Sequence, residues 1–412
     1  MSRRRIVVVG AGTSGSVVSM SLATRSEHEI IVVESGVYSG LDGESRFMNV
    51  LADSSLQSLH QVQLVANGPT VPYVQAHCVG GGSAINGMLL TSEVPDVAQG
   101  LTSFPQKDEL GDVGRALLDA GGEYTQLWWN NGRWNPGRAL LHLIDHERIR
   151  IISDNVLEVL QSGATAGVRL QESVIEADAV VMCAGAIATP KILLQSGFSR
   201  CNTQIGLGLQ DHPSITFALE LHREIPSVFD AGVVRRGTTS LGEQYLVVAY
   251  ERASWSEPEL GLVSVLLLTP HSRGWVTARD HECDVQINML DDERDVVAMR
   301  EAVQSLIETV SHESFRAIAR DIYADDEGTS VESLHSLTIT ELDKWIKMNL
   351  RPVSHVAASC HQAVNDDGSL QHVGGVFIAD ASVLSGVPPS TPAAPVTMEA
   401  RRIARLVEGS LS

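Results

Sequence analysis

Residues 5–34 read RIVVVGAGTSGSVVSMSLATRSEHEIIVVE, and the fold class follows from this stretch. Ile6–Val9 is a short apolar, β-branched run, the composition of a strand buried on both faces of a parallel sheet. It leads straight into Gly10-Ala11-Gly12-Thr13-Ser14-Gly15 and then into a helical stretch from about Ser16. Ile30–Val33 is a second buried-strand pattern and ends on an acid, Glu34. In such a unit Gly10 makes the turn out of the strand, Gly12 lets backbone approach a pyrophosphate, and Gly15 lets helix and strand pack closely. The helix N-terminus supplies free N–H groups and positive dipole charge for phosphates. Glu34 stands where it can accept hydrogen bonds from a ribose. A glycine triplet alone is weak evidence, and an unliganded turn is the reading it competes with. The strand before it, the helix after it and the acid at the end of the next strand together predict a dinucleotide site.

With 412 residues the chain can build two or more domains with sizeable cores. A net charge of −20 argues against nucleic acid or an anionic membrane surface as partner, and fits a solvated acidic surface. Cys78, Cys183, Cys201, Cys283 and Cys360 are scattered, odd in number and free of CxxC pairs. That pattern predicts reduced thiols and a cytoplasmic setting rather than a disulfide framework or a metal site. The basic MSRRR start is followed by an apolar run too short for a signal peptide, and no run of about 18 apolar residues predicts a membrane span.

Further along, Ser35 to about Thr70 is polar and weakly periodic, which predicts loops and short helices. Tyr73–Leu90, YVQAHCVGGGSAINGMLL, carries three consecutive glycines that no strand or helix interior would hold cheaply. Leu127–Pro136, LWWNNGRWNP, concentrates three of the six tryptophans; it could line an apolar pocket or form a lid packed on the core. Arg148–Val159 is strand-like, and Ala177–Gly197 reads as strand, glycine turn and helix, a second unit of a doubly wound sheet. After Asp211-His212-Pro213, runs at 215–221, 244–250, 262–268 and 275–278 read as strands without crossover helices, which predicts an antiparallel sheet. Helices are expected at 297–309, 314–324, 339–350 and 395–408, and a strand at 375–379.

Five segments, in order, resemble the glucose–methanol–choline (GMC) oxidoreductases: the first glycine motif with Glu34, VGGGSAINGM, CAGAIATPKILLQSG, IGLGLQDHP, and FIADASVLSGVPPSTPAAPVTMEARRIA. The resemblance spans almost the whole chain. It implies an α/β fold: a Rossmann-like FAD-binding domain assembled from residues 1–212 and 351–412, and a second, α+β substrate-binding domain with an antiparallel sheet over 213–350. Residues 40–70 and 95–137 are expected as lid or loop inserts. The chain is shorter than most relatives, with the loss between Glu34 and Arg138, so the pocket is expected to be more open or completed by a second copy in a homodimer.

The resemblance also implies contacts. Gly10, Gly12, Thr13, Ser14 and Gly15 match the pyrophosphate loop, and Glu34 the ribose-binding acid. Gly82, Asn86 and Gly87 match the chain beside the isoalloxazine and ribityl atoms, Val156 the residue whose backbone meets the adenine, and Asp380 and Ala381 the segment that returns to the cofactor. Ile85 stands where relatives with covalent flavin carry histidine, so FAD is expected to be held non-covalently. The family has a histidine before a Pro-x-Gly-Thr-Cys-like stretch; here Ser354-His355-Val356-Ala357-Ala358-Ser359-Cys360 places His355 at the catalytic position. An imidazole titrating near about 6.5 suits removal of a hydroxyl proton at neutral pH. The second active-site position, usually histidine or asparagine, falls at Thr391, with Ser390 beside it. His361 and His372 are expected to be structural or exposed, and Cys360 not to be a nucleophile.

The leading expectation is an FAD-dependent oxidoreductase acting on an alcohol carbon of a small or medium organic molecule. A GMC-fold lyase, isomerase or cyclase with no net redox change is the alternative, which Thr391 and the short cap favour. A nicotinamide-dependent dehydrogenase would use only the first motif.

Overall fold

A computed structural model of the chain describes residues 3–93, 100–144, 148–163, 165–224, 226–254, 256–279 and 282–411. The expected strand–loop–helix–strand opens it: β1 (Arg5–Val9), α1 (Thr13–Arg25) and β2 (Glu29–Glu34). β1 and β2 pair in parallel, and the sheet extends on one side to Ile149–Ser153 and on the other to Ala179–Met182 and Val376–Ile378. Ile6, Val7, Val8, Ile30 and Val32 are fully buried, as their unbroken apolar runs require when helices cover both faces. The C-terminal helix Ala393–Leu411 packs on α1, so a strand and a helix from the end of the chain share one core with its beginning.

Beyond Asp211 the chain builds most of a six-stranded sheet, with Leu260–Leu267 and Gln244–Tyr250 at its centre and Ser214–Leu221 paired antiparallel to Leu260–Leu267 over seven residues. Alternate side chains of Ser214–Leu221 are buried, and Glu293–Val310 covers that face. The Asn155-Val156 corner lies between Ile149–Ser153 and the small sheet opened by Glu158–Ser162.

Three expectations need correction. Residues 40–56 are the expected loops and short helices, Phe47–Leu51 and Ser54–Leu56, but Gln57–Gln63 is a strand paired with Thr70–Ala76 and, in parallel, with Glu282–Gln286. Only Val62 of that strand is buried, so the polar faces hid the period. Within 95–137, Asp112–Asp119 is a helix whose Val113 and Leu117 are fully buried under the large sheet, and Glu123–Tyr124 pairs at that sheet's edge; positions 94–99 lie outside the described residues. The helix expected at 314–324 is one turn, Glu313–Arg316, followed by the edge strand Ala319–Tyr323. Phe315, Ile318 and Ile322 have helical spacing, but the open edge of Ser214–Leu221 takes the backbone bonds.

Candidate active site and cofactor cradle

The first glycine motif forms a cradle with the second. Gly15 packs against the loop so closely that a Cβ there would sit 1.8 Å from the Gly10 carbonyl oxygen. Gly81, at φ +54, brings its backbone against Gly12; a Cβ would lie 2.8 Å from the Gly12 Cα. The Gly80 N–H donates to the Ala11 carbonyl at 2.8 Å, and the Thr13 hydroxyl donates to the Gly80 carbonyl at 3.0 Å. Thr13 Oγ1 also lies 3.1 Å from Ser83 Oγ. Segments separated by about seventy residues are thus stitched into one backbone surface.

That surface fits FAD. Gly12 at the α1 N-cap offers no side chain to the first-turn N–H groups, which leaves them for phosphate oxygens. A Cβ on Gly82 would meet nothing within 4 Å, so open space adjoins the second motif. Glu34 is buried at the end of β2, accepting from Ala11 N–H and Gly36 N–H at 2.6 Å each. Each oxygen keeps a further lone pair, so the carboxylate can serve a ribose while it fixes the loop.

Other expected cofactor residues take structural bonds. Asn86 Oδ1 accepts from Met88 N–H, and its carbonyl accepts from Arg133. Gly87 faces the Phe47 ring. Val156 is half-buried against the core of the parallel sheet. Asp380 is buried, with four bonds: from Ser382 N–H and Oγ on one oxygen, from Gly185 N–H and Thr189 Oγ1 on the other. It is a clamp on two turns. The Ala381 carbonyl accepts from Ala358 N–H, tying that clamp to the His355 loop. Ile85 sits in an apolar cluster with Val50, Leu56 and Ala84.

His355 is half-buried on a strained turn: Ser354 and Ala358, on either side, have φ +61 and +71. Burial, and the neighbouring His212 ring, hold its pKa well below the usual imidazole value. His212 was not among the sequence candidates. It is fully buried, its Nδ1 lies 3.0 Å from His355 Nδ1, and its Nε2 lies 2.9 Å from the Pro388 carbonyl. Its signal was the Asp-His-Pro triplet, visible as part of a resembling motif but carrying no chemistry until the fold places it. Asp211 holds both main chains: one carboxylate oxygen accepts from His212 N–H at 2.8 Å and from His355 N–H at 3.0 Å. The other accepts from the Tyr73 hydroxyl at 2.8 Å. Burial raises the Asp211 carboxyl to about 6 against these donors.

Thr391 adjoins the second motif. Its hydroxyl donates to the Leu89 carbonyl at 2.7 Å, and its N–H donates to Thr91 Oγ1 at 2.8 Å. With its proton committed, Thr391 can accept from a ligand but not donate to one. Ser390 is buried and bonds to the Thr391 carbonyl at 3.2 Å. His355 and Thr391 are linked through Pro388, which the His212 ring touches three residues before Thr391. His361 and His372 are exposed, and Cys360 is fully buried with its thiol pushed up to about 12 by burial. Trp128 is buried and stacked on Trp134 at 4.2 Å, part of the core beneath Met88–Leu90 rather than a pocket wall. Among the described residues no helix is long and apolar enough to cross a membrane, and no three His, Cys, Asp or Glu side chains are grouped to hold a metal.

The two sequence profiles of the GMC oxidoreductase family match residues 133–214 and 270–400, together just over half of the chain. An uncharacterized GMC-type oxidoreductase of Rhodococcus erythropolis is 25% identical over 333 residues, 66% of this chain and 62% of that protein, so this match spans less than two thirds of the relative. A 5-(hydroxymethyl)furfural oxidase of Methylovorus sp. is 24% identical over 97% of both chains, and an oxygen-dependent choline dehydrogenase of Photobacterium profundum 19% identical over 98% of this chain and 93% of its own. Pyridoxine 4-oxidase from Mesorbium loti has the same fold, with a TM-score of 0.82 at 17% identity over 98% of this chain and 99% of its own. With both family profiles matched, the chain belongs to the GMC oxidoreductases, a family of FAD-dependent enzymes.

Proposed function

We propose that the protein oxidises the CH–OH carbon of a small or medium organic molecule, with FAD held non-covalently and His355 taking the hydroxyl proton. The observation that carries this is His355 itself: an imidazole kept neutral at physiological pH, on a strained turn fixed through Asp211 and Ala381 to the elements that form the cradle. FAD, when bound, supplies the acceptor for the hydride. The chain's residues do the rest. His355 removes the proton, Thr391 offers an acceptor to a ligand group that donates, and the apolar Ile85 provides no atom for a bond to flavin. Residues 1–212 and 351–412 are read as the FAD-binding unit and 213–350 as the substrate unit, with Gln57–Gln63 and Asp112–Asp119 lent to the latter.

The test uses purified protein kept anaerobic. Acid or heat should release intact FAD, and one of a panel of choline, 5-(hydroxymethyl)furfural, pyridoxine and benzyl alcohol should bleach the flavin. Flavin that stays with precipitated protein would overturn non-covalent binding. Product formed without bleaching would favour the reading with no net redox change, which Thr391 in place of a second imidazole favours.

A further inference from the structure

His212 and His355 meet Nδ1 to Nδ1 at 3.0 Å, with the rings edge-on at 89°. Such a contact is a hydrogen bond only if one ring donates, so the tautomers of the two rings are coupled. The other side of His212 decides which. Its Nε2 is 2.9 Å from the Pro388 carbonyl oxygen, a group that only accepts, so Nε2 carries a hydrogen. Burial pushes the His212 pKa down to about 4, so at neutral pH the ring carries one hydrogen and Nδ1 holds a lone pair. His355 Nδ1 must then be the donor. His355 is likewise neutral, so its remaining nitrogen, Nε2, has a free lone pair.

We infer that His212 is a positioning residue that fixes His355 in the Nδ1–H tautomer, leaving His355 Nε2 as the unprotonated nitrogen that accepts the substrate's hydroxyl proton. This rests on the alcohol-oxidation reading above. In the step, the substrate O–H bond breaks and an Nε2–H bond forms on His355; FAD, when bound, would supply the acceptor for the hydride that leaves carbon as the C=O bond forms. The His355 imidazolium keeps its Nδ1–H···Nδ1 bond, now charge-assisted, while the Pro388 carbonyl holds the far nitrogen of His212.

The placement is built rather than incidental. The same Asp211 oxygen holds the N–H of both histidines, which sets their separation, and Tyr73 from the strand Thr70–Ala76 holds the other oxygen. The ionisable groups that hold the pair are Asp211, which accepts from the main chain of both histidines, and Tyr73, which bonds to Asp211. Asp211 bonds to neither imidazole ring; of the two backbone carbonyls that act on His212, Pro388 and Leu268, Pro388 is the one in hydrogen-bond contact, at Nε2, and it sets the tautomer.

Long-range 15N–1H NMR of the 15N-histidine-labelled protein near neutral pH reads the tautomers directly, with His355→Ala and His212→Asn giving the assignments. The expected result is His212 protonated on Nε2 and His355 on Nδ1; a His355 signal protonated on Nε2, or His212 protonated on Nδ1, overturns the inference. Kinetics give the second readout. His212→Leu, which has no acceptor, should slow flavin reduction at saturating alcohol by about ten- to hundredfold with KM little changed. His212→Asn, whose side-chain oxygen can accept from His355 Nδ1, should recover most of that loss. Equal rates for His212→Leu and the parent would overturn the inference while leaving the base reading intact. A His355→Ala variant as fast as the parent would instead overturn the base reading. The NMR result stands whether or not the leucine variant folds.

Discussion

Ala358, three residues after His355, has φ +71, a backbone conformation that suits glycine. An L-residue in this region costs about 1–2 kcal/mol, part of which glycine returns as unfolded-state entropy. Ala358→Gly should therefore stabilise the protein by about 1 kcal/mol in urea denaturation, and a destabilised variant would show that the strain is not where the backbone places it. A second residue-scale expectation concerns acid. An unfolded imidazole titrates near about 6.5, whereas His212 in the fold titrates near about 4. Below about pH 6.5 the unfolded chain takes up a proton that the folded chain refuses, so stability present at neutral pH is lost as pH falls toward 4. Between about pH 7 and 5 this amounts to about 2 kcal/mol, with His355 acting in the same direction. His212→Asn should lose correspondingly less on acidification; identical pH dependence in parent and variant would contradict the buried, neutral ring.

At the scale of elements, the strand–loop–helix–strand of residues 5–34 was legible because apolar run, glycine spacing and terminal acid agree with one another. The second glycine segment was legible from its residues as unfit for helix or strand, and through the resemblance as a cofactor segment; its contact with the first glycine loop is a tertiary fact. Gly81→Ala tests that partnership. The added Cβ would press on the Gly12 backbone, and the φ of +54 disfavours alanine, so the two segments must part. The variant should be purified with much less flavin, read from the ratio of flavin to protein absorbance; full occupancy would mean the two segments do not form one cradle. Asp211-His212 shows the opposite limit. Nothing local marks these residues, and their role exists only because Ser214–Leu221 begins beside the His355 loop, through Ser214 and Arg351.

The whole molecule explains why Gln57–Gln63 and Asp112–Asp119 were misread. Both belong to the opening part of the chain yet pack into the core built mainly after Asp211, and a polar internal strand or a short helix announces no such destination. A buried ion pair fastens the same region: Asp230 accepts from Met48 N–H at 2.9 Å and pairs with Arg252 at 3.1 Å, both side chains nearly inaccessible. Asp230→Ala would strand the guanidinium and should cost about 3–5 kcal/mol in urea denaturation. A cost below about 1 kcal/mol would mean that water reaches the pair.

On the proposed chemistry, these layers converge to present one neutral imidazole, that of His355, to the hydroxyl of an alcohol. Anaerobic stopped-flow reduction of the flavin, by whichever alcohol bleaches the parent fastest, compares the parent with His355→Ala. General-base catalysis is typically worth about 10²–10⁴-fold. A loss of that order is expected with FAD still bound; reduction of His355→Ala at the parent's rate would rule out His355 as the base.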